Sequence, residues 1–159
     1  SSDVCSSDLN DRGNILDINR IINLFKQVIN LRYDILFKPY GKIQKYTYDQ
    51  FDSYSYHLVG IIDNNIVSYS RFTPLSRDNT VGKISNVVVH PDYNNMGIGI
   101  DMLKIHIKTS LEKKIKKIYL HARIDTIEFY KKAGFCTESS VFISDKSGLT
   151  LKKMFLKVE

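Results

Sequence analysis

One stretch decides the fold: residues 84–91, Ile-Ser-Asn-Val-Val-Val-His-Pro, followed by residues 92–100, Asp-Tyr-Asn-Asn-Met-Gly-Ile-Gly-Ile. The first half is a short apolar run, rich in β-branched residues and ended by proline, which predicts a strand buried on both faces. The second half predicts a turn that opens a helix. Gly97 and Gly99, at the start of that helix, let main-chain N–H groups converge on an anion. The stretch therefore predicts a strand, a phosphate-binding turn and a helix.

The chain after this stretch predicts a helix, a strand, a second helix and a closing hairpin. Apolar residues continue at helical spacing to about residue 111, and the lysine-rich run 112–117 closes the helix at its dipole-favoured end. Residues 118–122 alternate as a strand. Asp125 and Glu128 have the spacing of a capping box for a helix that ends at Gly134. Residues 135–143 and 149–158 predict an antiparallel pair, with a bulge at Lys152-Lys153, where the apolar phase shifts.

The chain before the stretch predicts a helix and a hairpin. Apolar residues recur at helical spacing from about Ile18 to Leu36, and the run 38–41, Lys-Pro-Tyr-Gly, ends that helix. Residues 57–62 and 66–72 are β-rich and are joined by Asp-Asn-Asn, a tight-turn sequence. Residues 42–56 show no clean period. The order of elements predicts one α/β domain with a mixed sheet.

Length and composition limit the domain count and the class of protein. With 159 residues, 43% of them hydrophobic, the chain can build one domain with a single core. We take residues 10–159 as that domain, and we interpret the Ser/Asp-rich residues 1–9 as a non-native segment. No apolar run approaches transmembrane length and no signal sequence is present, which predicts a soluble, cytoplasmic protein without a membrane partner. Cys5 and Cys136 lack metal-ligand spacing, so neither a disulfide nor a metal site is expected.

Three segments resemble the GNAT superfamily of N-acetyltransferases. Val87-Val88-Val89-His90-Pro91 with Gly97-Ile98-Gly99 is similar to the family's acetyl-CoA-binding signature, and residues 118–123 and 129–135 are similar to its next strand and closing helix. The resemblance covers about residues 50–158. It implies a mixed, mostly antiparallel central sheet that is splayed at the cofactor site and flanked by helices. The signature usually begins with Gln or Arg, and Asn94 at that position implies that one phosphate contact is missing.

The resemblance also implies a co-substrate and the residues that bind it. Acetyl-CoA would be bound without any metal, and its pantetheine arm would lie against the main chain of Val87, Val88 and Val89. Its pyrophosphate would meet the loop formed by Asn94, Asn95, Met96, Gly97, Ile98, Gly99 and Ile100. An N–H group near Val89 would polarise the thioester carbonyl. Tyr130 matches the family's tyrosine that protonates the departing thiolate, since a phenol (pKa about 10) can donate to a thiolate (about 8.5) as charge develops.

The glycine pair has two alternative interpretations, and both lack a required residue. A dinucleotide-binding turn would need a third glycine where Met102 stands. A P-loop would need Gly-Lys-Ser/Thr where Gly99 is followed by Ile100-Asp101. Neither alternative fits, and the resemblance, with residues 129–135 included, implies the acetyl-CoA signature for this segment.

The general base is not fixed by the sequence. Ser85 and Asn86 stand where related enzymes often carry a glutamate, and neither side chain is a base. His57, His121 and Asp125 are the candidates, and a histidine on a strand is more often structural than catalytic. The identity of the base stays open.

Two functions remain open at the sequence level. One is an enzyme that moves an acetyl group from acetyl-CoA directly, in a ternary complex, to a primary amine of a small molecule, peptide or protein, as a monomer or homodimer. The other is a non-catalytic acyl-CoA-binding regulatory domain, favoured by Asn94 and by the missing carboxylate base. The net charge of +6 also suits nucleic acid, but the turn has no interleaved aromatic and basic residues, so we expect no nucleic-acid partner.

Overall fold

The computed structural model describes residues 3–4, 18–41, 50–78, 80–145 and 147–158. In chain order its strands and longer helices are β1 (Asp3–Val4), α1 (Ile18–Arg32), β2 (Tyr56–Ile62), β3 (Asn65–Pro74), β4 (Val81–Val89), α2 (Ile98–Glu112), β5 (Lys117–Arg123), α3 (Ile127–Lys132), β6 (Cys136–Thr137), β7 (Phe142–Ile143) and β8 (Thr150–Lys157). Cys5 and residues 42–49 lie outside the described residues. The predictions made for them, and for the origin of residues 1–9, stay predictions.

One mixed sheet organises the molecule. Its strand order is β1-β2-β3-β4-β5-β8-β6, and β7 also pairs with β8. Every described pair is antiparallel except β4–β5, which is parallel. The predicted α/β class with a mixed, mostly antiparallel sheet is confirmed.

The two central strands diverge along their length. β4 and β5 pair only at Val81–Lys117, Gly82–Ile118 and Lys83–Tyr119, although β4 continues to Val89 and β5 to Arg123. Polar main-chain groups along such a gap need partners other than the neighbouring strand. The predicted splay between the strands is therefore present, and it leaves a wedge in the middle of the sheet.

A β-bulge in β4, which the sequence analysis did not predict, lies beside this wedge. Tyr69 of β3 pairs with Val88, whereas Arg71 pairs with Ser85, so β4 holds one extra residue. Asn86 lies in the bulge with a φ of +57°, a left-handed conformation that asparagine tolerates better than β-branched residues. The bulge shifts the alternation of side chains in the second half of β4.

Helices cover both faces of the sheet. α1 packs against β3 and β4 through a cluster of Leu31, Ile66, Tyr69 and Val88. The second cluster joins Leu103 of α2 and Tyr130 of α3 to the sheet, with the buried members Phe72, Ile84, Ile115, Ile118, Leu120, Ala122, Phe135, Met154 and Val158. The wedge between β4 and β5 thus lies between two helical layers.

The helix before the hairpin and the hairpin itself form as predicted. α1 is followed by a π turn (Tyr33–Phe37) and a 3₁₀ turn (Lys38–Tyr40), and the helical segment ends at Gly41, whose φ is +72°. Between β2 and β3, Asp63 and Asn64 have φ values of +48° and +64°, as a type I′ turn requires. Gly134, with a φ of +98°, follows α3.

The predicted capping box at Asp125 is wrong. α3 begins at Ile127 after a 3₁₀ turn (Ile124–Thr126), and its N-cap residue, Thr126, makes no side-chain cap hydrogen bond. Asp125 lies inside that turn, with its carboxylate 3.6 Å from Arg123 Nε. Because this 3₁₀ turn precedes α3 and the Asp125 carboxylate lies beside the Arg123 guanidinium, Asp125 does not occupy the N-cap position of α3.

The predicted bulge at Lys152-Lys153 is also wrong. β8 pairs with β5 in one continuous register, from Lys117–Lys157 to Arg123–Leu151. The break in apolar phase has another cause, since Lys153 Nζ lies 3.1 Å from Glu138 Oε2. A polar pair, not an inserted residue, interrupts the alternation.

Candidate active site

A large cleft lies between the second half of β4, the start of α2 and α3. It has a volume of about 620 Å³, and we call it the main cleft. Its lining includes predicted cofactor residues from both halves of the motif, namely Val87, Val88, Val89, Asn94, Asn95, Gly97, Ile98, Gly99 and Ile100. Met96 is not part of this lining and is 62% exposed. The fold therefore brings together all the predicted cofactor-binding residues except Met96.

The start of α2 presents main-chain donors to the main cleft. The first hydrogen bond of its ladder runs from Asp101 N to Gly97 O, at 3.0 Å. The amides of Ile98, Gly99 and Ile100 precede that bond, so the helix itself does not use them. A Cβ built on Gly97, whose φ is +79°, would have no atom within 4 Å. An anion can therefore approach the main chain at this point.

Gly99 has a different role from Gly97. A Cβ on Gly99 would lie 2.8 Å from Phe129 Cζ and 3.8 Å from Val89 Cγ2. This position needs glycine because α2 packs closely against α3 and β4. One glycine of the pair thus leaves space for a ligand, and the other brings the walls of the cleft together.

Two cations line the main cleft at positions that the sequence analysis missed. Arg123, at the end of β5, and Lys132, at the end of α3, are both in its lining, whereas Asn94 carries no charge. Arg123 Nη1 donates to the hydroxyl of Tyr40. Both cations lie in segments that carry the family resemblance, 118–123 and 129–135. Their positions in the lining of the main cleft become visible only in the folded structure.

Tyr130 lies between hydrophobic rings in the wall of the main cleft. It is 9% exposed, and the rings of Phe129 and Phe135 meet it edge-on at centroid distances of 5.0 and 6.2 Å. Burial raises the pKa of Tyr130 to about 12, and the positive charge of Arg123 opposes this rise. The phenol therefore stays protonated at neutral pH and can serve as a proton donor.

A second cavity meets the main cleft at Tyr130. It has a volume of about 260 Å³ and lies between the segment after α1 and the strands β4, β5 and β8; we call it the side cavity. Both cavities share the residues Ile35, Val87, Arg123, Thr126 and Tyr130. Two ligands, one in each cavity, would meet at the phenol.

The structure separates the three candidate bases. His57 lies at another cavity, of about 150 Å³, beneath α1, and both of its ring nitrogens are engaged: Nδ1 with Tyr69 Oη (2.7 Å) and Nε2 with Asp52 O (2.8 Å). The Asp125 side chain is 75% exposed and lies in neither lining. His121 lines the side cavity. Only His121 shares a cavity with Tyr130.

Ser85 and Asn86 line the side cavity but do not act as bases there. Ser85 Oγ accepts a hydrogen bond from Arg71 Nε at 3.1 Å, and Arg71 forms a buried ion pair with Asp52 at 2.8 Å. A guanidinium beside the hydroxyl opposes the uptake of a further proton. This network instead fixes the wall of the side cavity.

A buried histidine, His106, was missed by the sequence analysis. It is 3% exposed, its Nε2 lies 2.6 Å from Ser70 Oγ, and its ring stacks on Phe72. Burial lowers its pKa to about 4. Its spacing of four residues from the buried Met102 was a signal for this position. His106 lines neither the main cleft nor the side cavity, so its role is structural.

The described parts of the chain contain neither a membrane-spanning helix nor a cluster of metal ligands. No helix there is long and apolar enough to cross a bilayer. No group of three or more His, Cys, Asp or Glu side chains is placed to hold a metal ion. The expectation of a metal-free site stays a prediction.

Comparison with known proteins gives both a family and a fold. The model of the "Acetyltransferase (GNAT) family" matches residues 25–135. The chain is 32% identical over 83 residues to "Uncharacterized N-acetyltransferase ycf52" of Porphyra purpurea, covering 49% of this chain and 47% of that protein. The chain thus spans about half the length of the curated relatives it matches.

Solved structures show the same architecture. An acetyltransferase of the GNAT family from Staphylococcus aureus Mu50 matches with a TM-score of 0.68 at 18% identity, covering 86% of this chain and 94% of that one. An acyl-CoA N-acyltransferase from Pseudomonas aeruginosa matches with a TM-score of 0.67 at 17% identity, covering 82% and 88%. At these identities the likeness shows the fold alone.

Proposed function

Because the chain belongs to the acetyltransferase (GNAT) family, we propose that it transfers an acetyl group from acetyl-CoA directly to a primary amine of a small molecule, peptide or protein. The observation that carries this proposal is the meeting of the main cleft and the side cavity at Tyr130. Each cavity would hold one substrate of a ternary complex. The protein would act as a monomer or homodimer in the cytoplasm, without a metal and without a nucleic-acid partner.

The main cleft would hold acetyl-CoA. The amides at the start of α2 and the open space at Gly97 suit a pyrophosphate, since a helix N-terminus favours an anion. Lys132 adds a positive charge to the lining of the main cleft, which Asn94 does not, whereas Arg123 lies where this cleft meets the side cavity. The donor set of this cleft therefore fits the phosphate end of the co-substrate.

The thioester end would lie along β4, in the wedge between the diverging strands. His90 N donates to Val67 O at 2.7 Å, which places Val89 in a non-hydrogen-bonded position opposite Ser68. In an antiparallel pair the main-chain groups of such a residue point away from the partner strand. The N–H of Val89 therefore faces away from β3, as a donor to the thioester carbonyl must.

The side cavity would hold the acceptor amine. Its lining combines aliphatic walls, such as Leu120 and Leu151, with polar groups that include Ser85 and His121. The amine nitrogen would attack the carbonyl carbon, forming a C–N bond while the C–S bond breaks. Tyr130 would donate its proton to the departing sulfur, and the apolar surroundings that raise its pKa would also make a desolvated thiolate more basic.

A non-catalytic acyl-CoA-binding domain is the alternative function. It is supported by Ser85 and Asn86, which stand in the wall of the side cavity where a carboxylate base was expected. Such a domain would bind acetyl-CoA in the main cleft without turning it over.

Free thiol formed from acetyl-CoA, followed across a panel of primary amines, distinguishes the two functions. We expect saturable thiol release that depends on the amine, together with acetyl-CoA binding seen by calorimetry. Binding without amine-dependent thiol release would support the alternative. Absence of both would contradict the assignment of the main cleft.

A further inference from the structure

We propose that His121 is the general base that removes the proton from the acceptor amine. This inference rests on the proposed acetyl transfer and adds to it the second proton-transfer group. His121 lies on β5 and lines the side cavity, and Tyr130 lines the same cavity of about 260 Å³. An amine bound in this cavity would lie within a wall to which both residues contribute.

The ring nitrogens of His121 are available for a proton. Among the described residues they make no hydrogen bond, and the ring packs against two other rings: Phe142 edge-on at 5.0 Å and Tyr119 at 5.7 Å. The other histidines differ. Nδ1 of His90 accepts from Asp92 N at 3.1 Å, and His57 and His106 are held by the buried groups described above.

The side cavity offers no better base among the described residues of its lining. These include no aspartate or glutamate, and the hydroxyl of Ser85 already accepts from a guanidinium. The hydroxyl of Tyr40 already accepts a hydrogen bond from the Arg123 guanidinium, whose positive charge opposes the uptake of a further proton. His121 is the lining residue whose ordinary chemistry matches the task.

Partial burial and two neighbouring positive charges favour the neutral form of His121. Lys83 on β4 and Lys153 on β8 face it, and Lys153 is its cross-strand partner. Partial desolvation of the ring, followed by these two positive charges, lowers the pKa of His121 below the ordinary value. Glu138 lies 3.1 Å from Lys153 and partly offsets that lysine, while Tyr119 and Phe142 bring no charge. An imidazole that is neutral at pH 7 is ready to accept a proton.

The proposed step balances in protons. The amine nitrogen forms the C–N bond and becomes a much stronger acid as it does so, and His121 takes its proton. Tyr130 gives a proton to sulfur as the C–S bond breaks. The imidazolium then returns its proton to water, and the phenolate recovers one from water, so that one amine and one thioester become one amide and one thiol.

The test compares His121→Gln with the wild type, using acceptor amines of different pKa. If one limb of the pH–rate profile has the same apparent pKa with every amine, that limb reports the ionisation of a group in the protein. For the wild type we expect such an acidic limb, with a pKa below about 6.5, the ordinary histidine value. His121→Gln should lose this limb and slow turnover roughly 10²-fold, the scale of general-base assistance. Its acetyl-CoA affinity should stay unchanged.

Two further variants make the test specific. His57→Gln, a histidine change at the separate cavity beneath α1, should keep the acidic limb whatever it does to stability. Lys153→Met should move the limb to higher pH, because a positive charge that opposes protonation is removed. If His121 had only a structural role, the acidic limb would neither disappear in His121→Gln nor move to higher pH in Lys153→Met.

A failure of the base assignment can be distinguished from a failure of the proposed function. Amine-dependent turnover with an intact acidic limb in His121→Gln would overturn the assignment of the base and leave the proposed function standing. Absence of turnover in the wild type, with acetyl-CoA bound, would overturn both the proposed function and the base.

Discussion

At the residue scale, Gly97 tests the phosphate-binding part of the site. Gly97→Asp would place a negative side chain into the open space where phosphate is expected, so acetyl-CoA affinity should fall at least tenfold by calorimetry. Gly97→Asn is the matched control, because it has nearly the same shape, no charge and a similar cost at a φ of +79°. Equal affinities for the two variants would show that charge at this position is irrelevant.

Some residues of the site were predictable because their signals are local. A proline, a β-branched run and two glycines mark the turn at residues 91–99 within a few positions of each other. Arg123 and Lys132 were not predicted as part of the site, because their side chains reach the main cleft only through the packing of β5 and α3. The capping role of Asp125 failed for the same reason, since a 3₁₀ turn and Arg123 decide where that carboxylate lies.

At the element scale, the bulge in β4 shapes the wedge between the central strands. Asn86→Val should destabilise the fold by about 1–2 kcal/mol, because a β-branched residue resists the left-handed conformation. Asn86→Gly, the matched control, should keep the stability within a few tenths of a kcal/mol of the wild type. Urea unfolding measures both variants. A valine variant as stable as the wild type would show that the bulge is not held at Asn86.

The elements themselves follow from sequence more completely than their irregularities do. The helices, the type I′ hairpin and the closing strands carry periodicity or turn residues that act over a few positions. The bulge at Asn86 depends on the register between β3 and β4, whose paired residues near the bulge, such as Arg71 and Ser85, are about 15 positions apart in sequence. The prediction of a bulge in β8 failed for the same reason, namely a contact between residues far apart in sequence. The apolar pattern breaks at Lys153, which pairs with Glu138, and residue spacing alone does not show that contact.

At the scale of the whole molecule, His106 makes stability depend on pH. Its pKa is about 4 in the fold, whereas an unfolded histidine has about 6.5. Between these values the unfolded chain binds a proton that the folded chain does not. The contribution of the buried, neutral imidazole to the free energy of unfolding is thus complete above about pH 6.5, and it is lost as the pH falls towards 4.

Urea unfolding at pH 7 and pH 5 measures this dependence. We expect His106 to contribute a loss of about 2 kcal/mol between these two pH values. His106→Gln keeps a polar partner for Ser70 but does not titrate, so its stability should change less over the same interval. A variant with the same pH dependence as the wild type would contradict the neutral, buried state of His106.

The central claim, that two substrates react at Tyr130, is tested most directly by the single-turnover rate of thiol formation in Tyr130→Phe. This change keeps the ring between Phe129 and Phe135 and removes only the proton donor. We expect acetyl-CoA affinity and thermal stability near those of the wild type, with a chemical step slowed roughly tenfold to a thousandfold. Because the phenol pKa is about 12, ionisation of Tyr130 should not slow the wild type below about pH 11. An unchanged single-turnover rate in Tyr130→Phe would contradict the claim.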